Sequence, residues 1–523
     1  MITQNLIDGR ESAEGSDFLQ SSDPSARAKL PERFAVATDA EVDRAVDTAY
    51  AAAQTFRAST GAQRAQLLRG IADAVEALGE ELVHRAVSES GLPAGRITGE
   101  RGRTCGQLRA FATLVEEGSW VRATIDEAMP ERKPFPRADL RKVLTATGPV
   151  AVFTASNFPL AFSTAGGDTA AALAAGCPVI VKAHPSHLGT NALVAGAIRD
   201  AVAAAGLPAG VFSSVQGSND VGGRLVRHPR LTAVAFTGSL AGGTALTKLA
   251  AAREIPIPVY AEMGSVNPVF LLPQKLATDG PSLAAALAGS VCLGVGQFCT
   301  NPGLLVCERG EAAAAFQEVF AKALQEQATG TMLNEGISEA FRQNRQRATD
   351  KPAVQLHYAA ETEEGQWAGE PALASVSGAD FLADAELQDE VFGPYTLLVE
   401  CDGADEVLAV AKALHGQLTA TVHGTDEELA AAGALCDALT EKAGRVLFGG
   451  VPTGVEVCAA MHHGGPFPAA TSARDTSVGV DAIYRFVRPV CYQNAPAALL
   501  PEALRDGNPL GILRRVNGQY VRG

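Results

Sequence analysis

The chain has 523 residues, 47% of them hydrophobic and 19% charged, with a formal net charge of −15. That is enough apolar material for several large cores, and the acidic balance excludes a basic nucleic-acid or anionic-membrane surface, which would need clustered Lys and Arg. An anionic small molecule would therefore need a local cation, because long-range attraction is absent.

At about 150 residues per domain, the length suits two to four domains. The nine cysteines form no C-x-x-C pair, and an odd count in a long chain fits a reduced, cytoplasmic compartment. The opening Met1-Ile2-Thr3-Gln4-Asn5-Leu6 has no basic or apolar signal region. The apolar run 150–162 is broken by Asn157 and Pro159 and is too short to span a bilayer.

Residues 1–40 are polar and turn-rich. Helical patterns follow at 39–56 and 61–90, the second with a stripe of Leu67, Leu68, Ile71, Val75, Leu78, Leu82 and Val83. A helix over 94–114 carries Arg96, Arg101, Arg103 and Arg109. These four fit either a solvated face or the lining of a substrate channel. Residues 125–143 are charged, broken by proline and then extended, and read as a long loop or an arm.

From Val150 the pattern is regular. Apolar runs at 150–154, 178–182, 211–216 and 231–236 alternate with small-residue helices at 161–175, 189–205, 220–226 and 242–252. Continuous apolar strands separated by helices predict a doubly wound α/β sheet of the Rossmann type, with ligands at the C-terminal strand ends. A second α/β unit follows, with strands at 268–272, 303–306, 396–399 and 445–448 and helices at 283–295, 312–325, 404–414 and 426–439. Residues beyond 484 read as short, Pro-rich and irregular, with a final extended piece.

Glu262 ends an apolar run, and Cys299 stands in a loop of small and polar residues, Gly296-Gln297-Phe298-Cys299-Thr300-Asn301-Pro302. A thiol and a base are the minimum for covalent chemistry at a carbonyl. Cys292 and Cys307 lie in apolar segments, where thiols are usually inert. The turn Phe236-Thr237-Gly238-Ser239 suits a phosphate or a plain strand–helix junction. Near Val181-Lys182-Ala183-His184-Pro185-Ser186 no acid stands ready for a ribose 2′-hydroxyl. The donors Lys182, His184 and Ser186 suit a 2′-phosphate. Asn157 is an oxyanion donor or a turn former. Met461-His462-His463 has no further ligands at suitable spacing, so no metal is expected.

Taken in order, Ser156-Asn157-Phe158-Pro159, Val181-Lys182, Phe236-Thr237-Gly238-Ser239, Ala261-Glu262-Met263-Gly264, Gly296-Gln297-Phe298-Cys299 and Glu390-Val391-Phe392-Gly393-Pro394 resemble the aldehyde dehydrogenase superfamily over nearly the whole chain. The resemblance implies an NAD(P)-dependent oxidation through a cysteine thiohemiacetal and thioester. Cys299 would be the nucleophile. Asn157 and the Cys299 N–H would hold the oxyanion, and Glu262 would activate water. Lys182 and Ser186 would bind the adenosine ribose side, Thr237, Gly238 and Ser239 the pyrophosphate, and Glu390 and Phe392 the nicotinamide riboside. It also implies a cofactor domain at 1–126 and 148–261, a catalytic domain at 262–450, and a substrate-channel region at 451–483 returning to the cofactor domain. An oligomerisation arm and tail at 127–147 and 484–523 would build a homodimer or homotetramer.

Gly450-Val451-Pro452-Thr453-Gly454-Val455-Glu456-Val457 with Met461-His462-His463, and Gly102-Arg103-Thr104 with Gln107-Leu108-Arg109, resemble the α-ketoglutaric semialdehyde (2,5-dioxopentanoate) dehydrogenase group. That substrate carries a carboxylate, for which Arg103 is the expected anchor, with Phe158 and Phe467 as channel walls. Pro185 stands where many NAD-using members have an acid, which favours NADP and admits NAD. The alternatives are an NADP-dependent dehydrogenase of a fatty or CoA-linked aldehyde, a CoA-acylating enzyme, and a non-catalytic binding protein of the same fold.

Overall fold

The computed structural model describes residues 2–361 and 366–522. Residue 523 of the expected tail and residues 362–365 of the expected catalytic domain lie outside the described residues. Two seven-stranded sheets dominate. The first runs Val259–Glu262, Ala233–Thr237, Val150–Phe153, Val179–Lys182, Phe212–Val215, Asn5–Ile7 and Arg10–Ser12. Its first five strands are parallel, and the last two join antiparallel. Strand residues alternate between two cores, as a period of two requires. Val150, Val152, Val179 and Val181 face one, and Ala151, Phe153 and Ile180 face the other.

The second sheet runs Gln355–Ala359, Ala372–Ser377, Tyr395–Cys401, Leu304–Glu308, Val269–Leu271, Gln417–His423 and Ala443–Phe448, parallel except at its first strand. It too is buried on both faces. A five-stranded sheet forms the arm, in the order Val487–Gln493, Leu140–Ala146, Thr124–Asp126, Arg514–Val516 and Gln519–Val521. The irregular reading of the C-terminal segment is therefore corrected: Val487–Gln493 pairs along its length with Leu140–Ala146, which hides its character from a single-segment pattern.

Other departures have local causes. The 61–90 helix is two helices, Gly61–Ala77 and Gly79–Ser90, because Gly79 adopts φ +54° between them. The apolar stripe continues across the break because both halves pack on one core. The 161–175 helix begins only at Gly167, after a tight turn in which a Cβ on Gly166 would lie 2.5 Å from the Ala161 carbonyl oxygen. Strand Gln417–His423 went unnoticed because Gln417, Thr419 and Thr421 look solvent-facing, yet all seven residues are buried. Helix Pro273–Cys292 is apolar and long enough to cross a membrane, but Leu276, Leu283, Leu287 and Val291 pack into the core beside helix Glu311–Gln325.

Two features bring the sheets to one site. The 451–483 segment is stapled to the edge strand of the first sheet, with Met263 N–H donating to Ala469 O (2.7 Å) and Thr471 N–H to Ala261 O (3.0 Å). The chain before Cys299 turns through three left-handed residues, Gly294, Val295 and Gly296 (φ 58°, 60° and 65°), a rare conformation for a β-branched residue. A Cβ on Gly296 would lie 2.2 Å from the Gly393 carbonyl carbon.

Gly296→Ala should cost about 1–3 kcal/mol through strain and overlap and lower the unfolding temperature. Gly289→Ala, in helix Pro273–Cys292 with nothing within 4 Å of the added methyl, should be neutral or stabilising by up to about 1 kcal/mol. Equal melting of the two variants would contradict the close approach at Gly296.

Candidate active site

Glu262 is the last residue of its strand, in register with Thr237, and only 4% exposed. Ser477 Oγ donates to its Oε2, and His463 Nε2 lies 2.9 Å from its Oε1. Burial raises its carboxyl pKa, but the adjacent His463 ring and hydrogen bonds from Ser477 and Cys299 outweigh burial and hold it below the ordinary value. A small open pocket lined by Tyr260, His463, Asp475, Ser477 and Arg485 reaches Glu262.

Cys299 follows the left-handed turn and is half-buried. Its Sγ lies 3.5 Å from His463 Nε2. Asn267 Nδ2 donates to Cys299 O (2.8 Å) and Asn301 O (2.9 Å), fixing the loop from below. Burial pushes the thiol well above its ordinary pKa, and the Glu262 carboxylate pushes the same way. The Arg103 guanidinium opposes both. The reacting atoms of Glu262, Cys299 and His463 all lie within 4.8 Å of one another, so the fold closes the 37-residue gap between Glu262 and Cys299.

The Asn157 side-chain amide donates to Gln297 O (2.9 Å), two residues before Cys299. Glu100, on helix Ala94–Glu117, accepts from the N–H groups of Leu160 (2.8 Å) and Ala161 (2.9 Å). Arg96, one turn earlier, donates to Asn157 O (3.1 Å) and lies over the rings of both Phe158 and Phe298. Arg96 and Glu100 thus tie the Asn157 loop and the Cys299 loop to one helix.

Of the four helix arginines, Arg109 pairs with Asp73 and Glu76 on the surface, and Arg101 caps the Gly79 carbonyl. Arg103 faces inward over the Phe162 ring. Its Nε and Nη2 are buried and meet no hydrogen-bond acceptor among the described residues. Phe158 lies in an aromatic cluster with Phe162 and Phe298. Phe467 does not join it: at 66% exposure it lies outside the cluster.

The expected cofactor residues fall at strand ends and a loop. Lys182 ends its strand at 8% exposure. Burial brings its pKa down to about 8, with no paired carboxylate among the described residues. Ser186 Oγ accepts from Asn334 Nδ2 (3.0 Å), bridging to the second sheet's side. Thr237 and Gly238 lead to Ser239, whose Oγ caps helix Leu240–Ala251 by accepting from Gly242 N–H (3.2 Å). A Cβ on Gly238 would strike the Phe236 ring at 2.6 Å. Glu390 and Phe392 line a cleft with Ser265, Phe298 and Asn301. Burial raises the Glu390 carboxyl to about 7.

The sequence carries no signal for Ser477 or Glu100 as site residues, and it offers Arg96 only as one of four helix arginines. His462-His463 did draw notice, but as a metal motif without companions.

The profile of the aldehyde dehydrogenase family matches residues 11–465. The chain is 50% identical over 521 residues to α-ketoglutaric semialdehyde dehydrogenase 2 of Azospirillum brasilense, covering 99% of each chain. It is 45% identical over 516 residues to an α-ketoglutaric semialdehyde dehydrogenase of Acinetobacter baylyi, covering 98% of each. Among solved structures, a lactaldehyde dehydrogenase superposes with a TM-score of 0.82 at 20% identity over 94% of this chain and 99% of that one. A Thermus 1-pyrroline-5-carboxylate dehydrogenase with bound NAD superposes with a TM-score of 0.80 at 21% identity, over 94% and 92%.

Because its pKa lies above the ordinary range, Cys299 should react with iodoacetamide slowly near neutrality and faster as pH rises. Arg103→Met removes the cation that favours the thiolate and should slow labelling at fixed pH by roughly 3–10-fold, the effect of half to one pKa unit. Peptide mapping of the labelled thiol against time measures this. An unchanged rate would mean that the guanidinium charge is not felt at Sγ.

Proposed function

The chain belongs to the aldehyde dehydrogenase family and oxidises an aldehyde, and we propose that its substrate is α-ketoglutaric semialdehyde, converted to 2-oxoglutarate. The observation that carries this reading is Arg103: a guanidinium whose buried Nε and Nη2 meet no acceptor among the described residues, and whose charge is felt at the Cys299 thiol, is the local cation a carboxylated aldehyde requires in an acidic protein. The names of the two relatives agree with it. Those relatives, similar over nearly the full chain, give no support to the CoA-acylating or non-catalytic alternatives.

The residues divide the work as follows. Cys299 Sγ attacks the aldehyde carbon, and the thiol proton passes to Glu262, with His463 beside both atoms. The carbonyl oxygen becomes an oxyanion held by the Asn157 amide and the Cys299 N–H. NAD(P), which the family uses, supplies a hydride acceptor when bound. Loss of hydride from the thiohemiacetal carbon leaves a thioester on Sγ. Glu262, after passing the thiol proton on to solvent, takes a proton from water as the water oxygen attacks the thioester, and the acid leaves as Sγ departs and is reprotonated by Glu262.

Lys182 and Ser186 would hold the ribose at the adenine end, Thr237, Gly238 and Ser239 the pyrophosphate, and Glu390 with Phe392 the nicotinamide ribose. Lys182 without a carboxylate partner, followed by Pro185, favours NADP over NAD. We assign the protein to the cytoplasm, with all nine cysteines free. The arm sheet has an edge strand at Val487–Gln493 and exposed Phe135, Leu499 and Tyr520, which suits a homodimer or homotetramer.

A panel of aldehydes with NADP or NAD, with and without CoA, read as reduced-cofactor absorbance, tests the reading. Turnover should be CoA-independent and fastest with 2,5-dioxopentanoate. Arg103→Met should raise KM for that substrate about 10–100-fold, the worth of a bidentate carboxylate contact of about 1.5–3 kcal/mol, and leave KM for pentanal nearly unchanged. A parallel rise for both would remove Arg103 as the anchor. Glu262→Gln should give one rapid turnover of cofactor reduction followed by a stall at the thioester. A linear trace without a burst would place the hydrolytic base elsewhere.

A further inference from the structure

We propose that Cys299 Sγ, His463 Nε2 and a Glu262 carboxylate oxygen also form a reversible site for a soft divalent cation of the zinc class, whose binding arrests catalysis. The proposal does not depend on which aldehyde is oxidised. Sγ and Nε2 are 3.5 Å apart. A tetrahedral zinc with Zn–S about 2.3 Å and Zn–N about 2.0–2.1 Å sets its sulfur and nitrogen ligands about 3.5 Å apart. Nε2 and Oε1 are 2.9 Å apart, and tetrahedral coordination would open them to about 3.3 Å. All three atoms lie within 4.8 Å of one another.

The local chemistry supports the geometry. Oε1 is buried, with the His463 ring nitrogen at 2.9 Å as a near polar neighbour. Thiolate, imidazole and carboxylate are the donor set that zinc prefers. Three protein ligands leave a fourth position for water. Arg103 and Arg445 both lie near Sγ and oppose a cation, so affinity must come from coordination. Binding releases the Sγ proton to solvent, uses the Nε2 lone pair and changes no oxidation state. It engages the nucleophile and the hydrolytic base together. Along the sequence His463 had no ligand partners; the fold supplies them from 164 and 201 residues away.

Co2+ is the spectroscopic probe on the purified full chain without cofactor. One Co2+ per chain should give a thiolate-to-cobalt charge-transfer band that Zn2+ displaces, and EDTA should restore activity. Cys299→Ser should abolish the band. His463→Gln should weaken Zn2+ at least about tenfold, since changes merely beyond the ligands cost about 10–100-fold. Cys458→Ser and Cys491→Ser, at the two exposed thiols, should leave the band intact. On the unmodified chain, Zn2+ should protect Cys299 from iodoacetamide in peptide mapping. A band that survives Cys299→Ser or vanishes with either exposed thiol, no stoichiometric binding, or unprotected Cys299 would each overturn the proposal.

Discussion

A carboxylate almost fully withdrawn from water is the constraint on which this active site depends. Removing a carboxylate from water without partners is prohibitive, so Glu262 can stay ionised only if groups come to it. Its own strand cannot supply them, because neighbouring side chains point to opposite faces. Ser477 and His463 arrive from a segment about two hundred residues later, and that segment is fixed to the strand by backbone bonds at Ala469 and Thr471. The stapling, the channel region and the charge on Glu262 are therefore one structural fact. The edge strand of the first sheet acquires its last neighbour, and the catalytic carboxylate acquires its solvation, from the same stretch of chain.

The two groups proposed as oxyanion donors pose a related problem, since they come from different sheets. Asn157 follows a strand of the first, while the Cys299 N–H sits before a strand of the second. Helix Ala94–Glu117 bridges them. Glu100 grips Leu160 and Ala161, and Arg96 lies against Phe158 and Phe298 at once. The left-handed turn at Gly294–Gly296 stores strain that packing against Gly393 and Gly369 holds in place. Such strain is tolerated where the surroundings over-determine the backbone, and here it sets the loop from which the thiol projects.

How much of this was legible depended on the range of the interaction. The parallel strands at 150–153 and 233–237 announced themselves as apolar runs, and so did Glu262 at a strand end. Strand Gln417–His423 did not, because its polar side chains serve the interior. Gln417 Oε1 accepts from Ser265 Oγ and from the N–H groups of Val266 and Asn267, and no local pattern encodes partners 150 residues away. His463 illustrates the same limit. As part of a His-His pair it suggested a metal motif lacking ligands; in space it stands between the two residues that the chemistry needs. Arg96 and Arg103 sit on one helix with Arg101 and Arg109. Only the packing of that helix separates the inward pair from the surface pair.

Arg103 shows how selectivity and reactivity become linked. Its guanidinium is desolvated by folding, so the cost of preparing it for an anion is met before substrate arrives. Two anions compete for it. One is the Cys299 thiolate, whose formation it favours; the other is the carboxylate of the proposed substrate. An uncharged aldehyde leaves the cation to the thiolate. A carboxylated one draws on it, and the thiol proton must then be taken by the carboxylate at Glu262. In the proposed mechanism the carboxylate that serves hydrolysis also keeps the nucleophile available once the anchor is occupied, since the Glu262 charge raises the thiol's pKa and the Arg103 charge lowers it.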